Sequence, residues 1–221
     1  MKLLSAGPAF IDTIDALKHE FISDTSNTLI VLGAYHFATV SKQQFNTLRA
    51  SNQFDKIIIF NQEQLHARQR NFLTPEYQAW LAQADEVWDY DEANFDILTR
   101  LNKNVNLHLL KPYKDWSVYK PVEKDIDFLF YGAMNTHRSY LLSKLSEKYH
   151  VCVLQGEWQR LDEFIMRSKV LLNIHFYHEC ALQEQARMIR WLGAPCRILS
   201  EKSIKNYLGV EEMTYEELLK L

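Results

Sequence analysis

The chain has 221 residues, 47% of them hydrophobic, enough to bury one large core or two small ones. Its formal charge of -3 and pI near 6.2 give no general attraction to a phosphate backbone, so binding nucleic acid would need a local basic patch. The longest apolar runs, such as Ile57 to Phe60 and Val170 to Leu172, are far too short to cross a bilayer.

The stretch Met1 to Phe10 lacks a long apolar signal core, and the three cysteines, Cys152, Cys180 and Cys196, lack metal-finger spacing. A reducing cytoplasm is the expected location. Short apolar or β-branched runs then recur between polar segments of helical period, the pattern of parallel strands buried between covering helices. The first series predicts strands at Thr28 to Leu32, Lys56 to Phe60, Glu86 to Trp88 and Val105 to Leu109, with helices over 41–50, 75–83 and 91–102.

Lys111-Pro112-Tyr113 and Lys120-Pro121 interrupt any regular ladder or helix, which predicts a linker and a domain boundary between residues 1–113 and 114–221. Beyond it, strands are expected at Ile126 to Tyr131, His150 to Leu154, Lys169 to Ile174 and Cys196 to Ser200, about eight in all. Helices are expected over 136–148, 158–167 and 180–192. Two such series predict an α/β protein of two Rossmann-like βαβ lobes facing across a cleft, with one continuous sheet as the alternative. Chemistry is sought in the loops after the strands, where such sheets bind ligands.

After Tyr131 the chain reads Gly132-Ala133-Met134-Asn135-Thr136-His137-Arg138. Gly132 permits close backbone approach, Asn135 or Thr136 can cap a helix whose N-H groups meet a phosphate, and Arg138 can point a fork at a pyrophosphate. The same residues also read as a capped βα turn with a solvated arginine. A second wall is expected from Asn173 and His175 at the end of their strand, followed by a helix in which Glu184 lies one turn before Arg187. An early-turn carboxylate can accept ribose hydroxyls, or can simply pair with Arg187.

These segments, together with Leu199-Ser200-Glu201, resemble over about 80 residues the C-terminal lobe of family-1-like GT-B glycosyltransferases, as found in small bacterial and phage proteins. The resemblance implies a minimal GT-B-like fold and metal-independent transfer of a sugar from a nucleotide sugar, expected to be a UDP-sugar, to an acceptor hydroxyl. It places Gly132 against the donor diphosphate and Glu184 on the nucleotide ribose, with Asn135, Arg138, Asn173, His175 and Arg187 as further donor-site candidates. No cofactor beyond the donor and no metal is expected, Asp85, Asp89 and Asp91 being read as a surface cluster. The chain is short for such an enzyme and ends after Tyr215 to Leu221 without a long crossing helix, leaving a minimal enzyme or an inactive relative open.

In the first lobe, Asn61 to Gln64 form a dense polar set at a strand exit, suited to sugar hydroxyls or to capping a helix, and His36 follows the first predicted strand. His36, Glu63 and Arg138 are therefore the catalytic candidates, His36 as acceptor-side acid or base. The acceptor is expected to be a glycan or a hydroxymethylated base in phage-type DNA, the latter requiring a basic cleft of Lys42, Arg49, Arg68 and Arg70. The rival reading is a non-catalytic Rossmann-like nucleotide- or protein-binding module with an exposed aromatic surface at Trp116, Tyr119 and Trp158.

Overall fold

A computed structural model describes residues 1–40, 44–68, 71–156 and 160–221. Lys42, Arg70 and Trp158 lie outside the described residues. The chain divides into two compact units, Met1–Tyr113 and Lys114–Leu221, each holding its own five-stranded parallel sheet. Two separate sheets replace the single continuous one.

The first unit runs β1 (Lys2–Ser5), α1 (Ile11–Glu20), β2 (Thr28–Leu32), α2 (Ala34–Val40), α3 (Gln44–Ala50), β3 (Lys56–Asn61), α4 (Pro75–Gln83), β4 (Glu86–Asp89), α5 (Phe95–Leu101) and β5 (Val105–Leu107), with strands ordered as in the sequence. Strands β2 and β3 are buried along almost their whole length, as unbroken runs such as Ile57-Ile58-Ile59-Phe60 require. Both faces of this sheet are covered. On one, Tyr77 of α4 reaches Asn61; on the other, Phe21 at the end of α1 stacks on Trp88, whose ring lies 4.1 Å from that of His108. Helix α1 and strand β1 were not expected. The buried stripe of α1 carries Asp12 and Thr13 beside Ala16 and Leu17, and the Tyr113 hydroxyl donates to Asp12, so polar residues interrupt its apolar period.

The second unit runs β6 (Ile126–Tyr131), α6 (Thr136–Ser146), β7 (Val151–Leu154), α7 (Leu161–Arg167), β8 (Ser168–Asn173), α8 (Gln185–Met188), β9 (Arg197–Glu201), β10 (Glu211–Met213) and α9 (Tyr215–Leu218). Its strand order is β10-β9-β8-β6-β7, so the chain reverses direction at β6 and β8. Alternation along the strands divides the core. Leu129, Tyr131 and Leu171 join Leu161, Ile165, Met188 and Trp191 on one face, while Phe128, Phe130 and Leu172 join Leu141, Leu142, Leu145 and Leu218 on the other.

Trp116 and Tyr119 are not an exposed surface. Trp116 is 6% exposed, packs in the α7 face of the core and donates from Nε1 to the Arg190 carbonyl. Asp162 fastens the same segment, accepting from the Tyr119 hydroxyl at 2.6 Å and pairing with Lys114 and Arg190.

Helix α8 is far shorter than the stretch over 180–192 that the periodicity predicts. The reason is Gln183, fully buried, which gives its amide to Asn206 and takes the Leu208 N-H, so the segment before α8 braces the loop over 203–209 instead of coiling. Leu171 sits at 0% exposure in the centre of β8. Leu171→Ala should cost the second unit about 3 kcal/mol, measured as a lower urea midpoint by fluorescence of Trp116 and Trp191.

Candidate functional site

In a parallel sheet the peptide groups at the carboxyl ends of two strands that lead away in opposite directions leave a crevice, and in the second unit that point lies between β6 and β8. The turn after β6 starts at Gly132, held at φ +138°. Asn135 caps α6 by accepting the Arg138 N-H at 2.9 Å and donates its amide to the Phe176 carbonyl at 2.7 Å, tying the β6 turn to the loop after β8.

Arg138 does not point outward. It is 1% exposed, with Nε and Nη2 on the Ile174 carbonyl, Nη1 on the Ala133 carbonyl and Nη2 also on both Glu184 carboxylate oxygens at 2.8 Å. Its guanidinium lies over the Phe130 and Phe176 rings. Burial lowers its pKa to about 10, which leaves it charged at neutral pH. The residue is an internal strut rather than the pyrophosphate-facing fork or the solvated arginine expected of it.

Glu184 is the N-cap residue of α8, and its carboxylate accepts from Arg138, from Arg187 at 2.8 Å and from the Phe176 N-H at 2.9 Å. Burial raises its pKa, but the two guanidiniums outweigh burial and hold it down to about 2. Arg187 continues outward: it donates to the Asn173 side chain at 3.2 Å and lies over Phe130. A Cβ on Gly132 would meet its Nη2 at 2.8 Å. The φ of Gly132 already favours glycine, and any other residue there would also push the end of the Arg187 side chain aside. Two guanidiniums thus share the Glu184 carboxylate, and the buried Glu201 carboxylate acts on Arg138 from the neighbouring strand end.

Asn173 is fully buried and donates to Ser200. His175, 1% exposed, gives its N-H to Glu201, which also pairs with His137 at 3.0 Å, and its Nε2 lies 3.2 Å from the Lys202 carbonyl. The structure thus gathers Gly132, Asn135, Arg138, Asn173, Glu184 and Arg187 around one crevice, with His175 in its floor. Sequence reasoning missed the Glu201 and His137 pair, whose only signal was a carboxylate at the end of a buried strand.

The other two candidates belong to the first unit. His36 near the start of α2 is about half exposed, and its Nε2 lies 3.6 Å from Glu63. The polar run after β3 does not start a helix, and it is divided: Asn61 and Gln64 are buried, the Asn61 amide reaching the Asp89 carboxylate at 2.6 Å, while Gln62 and Glu63 are partly exposed. Asp89 and Asp91 are buried, not surface residues, and Asp85 is fastened to Arg49 by paired bonds of 2.8 Å. Because Asp85 also takes the Ile57 N-H, Arg49 sits at the amino ends of the strands and cannot join a basic cleft at their carboxyl ends. Among the described residues no cluster of three metal-ligating side chains occurs, and no helix is long and apolar enough to span a membrane.

No family model matches the chain. It is similar to proteins of Acanthamoeba polyphaga mimivirus: uncharacterized protein L140, 24% identical over 220 residues, covering 96% of this chain and 66% of L140. Uncharacterized protein L137 is 29% identical over 161 residues, covering 68% of this chain and 21% of L137, and L138 is 32% identical over 113 residues, covering 47% and 13%. The chain therefore spans less than two thirds of the length of these relatives. The match with L140, at 96% of this chain, runs through both units.

Glu184 also sets a pH dependence. Its folded pKa of about 2 lies below the ordinary 4.5, so its contribution, about 3 kcal/mol, is complete above pH 4.5 and is lost as pH falls through about 2. Glu184→Gln should lower second-unit stability by that order at pH 7 and flatten the acid limb, as read from urea unfolding at pH 7 and pH 3.

Proposed function

We propose that the chain is a glycosyltransferase of GT-B type, with the second unit binding the diphosphate of a nucleotide sugar and the first unit the acceptor. The observation that carries this reading is the Arg187 guanidinium, which shares the Glu184 carboxylate with Arg138, lying over the Gly132 turn at the reversal point of a parallel sheet. A guanidinium there, beside the first turn of α6, supplies the charge and the donors that a diphosphate needs. Such a cation also stabilises a departing nucleoside diphosphate, so one group serves both binding and transfer.

In this reading Arg138 holds Glu184 and Glu184 aims Arg187. Glu184 meets the ribose only through whatever acceptor capacity its three internal donors leave. On the acceptor side His36 takes the proton of the attacking hydroxyl, backed by Glu63. A glycan hydroxyl suits the first unit better than modified DNA, because the pI is acidic and Arg49 is neutralised by Asp85. The donor is proposed as a UDP-sugar on the resemblance alone.

The test follows from separating the strut from the ligand group. Removing Glu184 strands the buried Arg138, so its loss confuses unfolding with lost binding. Arg187→Gln keeps the Arg138 pair. A UDP-sugar at a hundred times its Kd should stabilise the wild type by about 2.7 kcal/mol, seen as a raised melting temperature, and Arg187→Gln should abolish that rise. No rise with UDP, GDP, ADP, CMP or TDP sugars defeats the reading; binding without turnover on any glycan acceptor leaves a non-catalytic binding module.

A further inference from the structure

The carboxyl end of the first sheet carries a buried carboxylate that, among the described residues, is held by neutral donors rather than by a guanidinium or an ammonium group. Asp89, 0% exposed at the end of β4, accepts from the Asn61 amide at 2.6 Å, the Asn94 amide at 3.1 Å and the Asp91 N-H at 2.8 Å. Neutral donors offset burial only in part, and its pKa is raised to about 7. An apolar residue of similar size would pack there at less cost.

What the carboxylate organises is the backbone of Glu63. The Asn61 amide donates to the Glu63 carbonyl at 3.0 Å, and the Asn61 oxygen accepts the Glu63 N-H at 3.3 Å. The Asn94 amide donates to the same carbonyl at 3.1 Å, while its oxygen takes the Leu65 N-H. Tyr77, buried and with its own pKa pushed well up, donates to the Asn61 oxygen at 2.8 Å and completes the clamp. A loop residue that faces His36 is thus held at both its peptide groups by two side-chain amides, and both amides are aimed by Asp89.

We infer that Asp89 is the positioning residue of a His36 and Glu63 proton-transfer pair, fixing the Glu63 carboxylate against His36 Nε2 through the Asn61 and Asn94 amides. This rests on the proposed acceptor role of the first unit, but its geometry is independent of the nucleotide crevice. In the pair, His36 receives a hydroxyl proton and Glu63 balances the imidazolium charge; no other reactant is needed. Phe10 and Tyr35 set their ring edges near His36, and among the described residues the titratable groups on and behind the loop include His66, Asp89, Asp91 and Tyr77.

The experiment is a His36 imidazole titration by NMR on the full chain, comparing wild type with Glu63→Gln, Asp89→Asn and the milder Asn94→Ser. Glu63→Gln should lower the His36 midpoint by removing its carboxylate partner. Asp89→Asn should lower it in the same direction although Asp89 itself does not touch His36, and Asn94→Ser should give a smaller shift with the amide spectrum of the first unit otherwise kept. If Glu63→Gln moves the midpoint while both Asp89→Asn, folded, and Asn94→Ser leave it on the wild-type curve, Asp89 is a structural staple only and the inference fails. A midpoint indifferent to Glu63→Gln overturns the pair itself. Neither result depends on whether Arg187 binds a nucleotide sugar.

Discussion

The arrangement of the second unit depends on one interaction, the buried contact of Arg138 with Glu184. Two loops from opposite sides of the sheet reversal meet there, and each brings peptide groups that need partners. Arg138 satisfies the Ile174 and Ala133 carbonyls, and Glu184 satisfies the Phe176 N-H, so the ion pair closes both loops at once. A buried pair of this kind is a weak source of stability measured against apolar packing, but removing one member is costly because the other is left charged in the interior. Its consequence is geometric: the loops after β6 and β8 have one arrangement, and Arg187 is delivered to the crevice by it.

The two units solve the same problem in opposite ways. Each buries a carboxylate at the carboxyl ends of its strands, and each uses it to hold a loop. Glu184 is surrounded by guanidiniums and its pKa falls to about 2; Asp89 is surrounded by amides and its pKa rises to about 7. The difference decides what each end of the chain offers. Glu184 is paired by two guanidiniums, which accords with the anionic ligand proposed for that crevice, whereas among the described residues Asp89 is held by neutral donors, which accords with the proton transfer proposed beside Glu63 and His36.

How much of this was legible in the sequence varies with the physical signal. Strands such as Ile57 to Phe60 and Leu129 to Tyr131 were readable because continuous burial leaves an apolar run. Strand β10 was not, since Glu211-Glu212-Met213 is an edge strand whose hydrogen bonds require no apolar residue. Helix α8 was overread because Leu182, Ala186 and Ile189 have helical spacing, while the buried Gln183 that breaks the helix shows its reason only through Asn206 and Leu208, over 20 residues away. The candidate residues Gly132, Arg138 and Glu184 stood out for their types and their order. Their roles were not legible, because a guanidinium facing a phosphate and one facing a carbonyl look alike in one dimension, and the burial of Asp89 depends on amides supplied by two other segments.

The same ambiguity bears on the glycine turn. A glycine at a strand exit before a helix is commonly explained by the approach of a phosphate, but Gly132 here is explained by the approach of Arg187, whose guanidinium occupies the space a side chain would fill. The two explanations are not rivals in their electrostatics. Arg187 lies against bare backbone and over the Phe130 ring, paired with a carboxylate already shared with a second arginine, so an anion in the proposed donor crevice would meet a cation without first breaking the Arg138 contact. In the proposed reading the glycine serves a ligand indirectly, by making room for the group that would meet it.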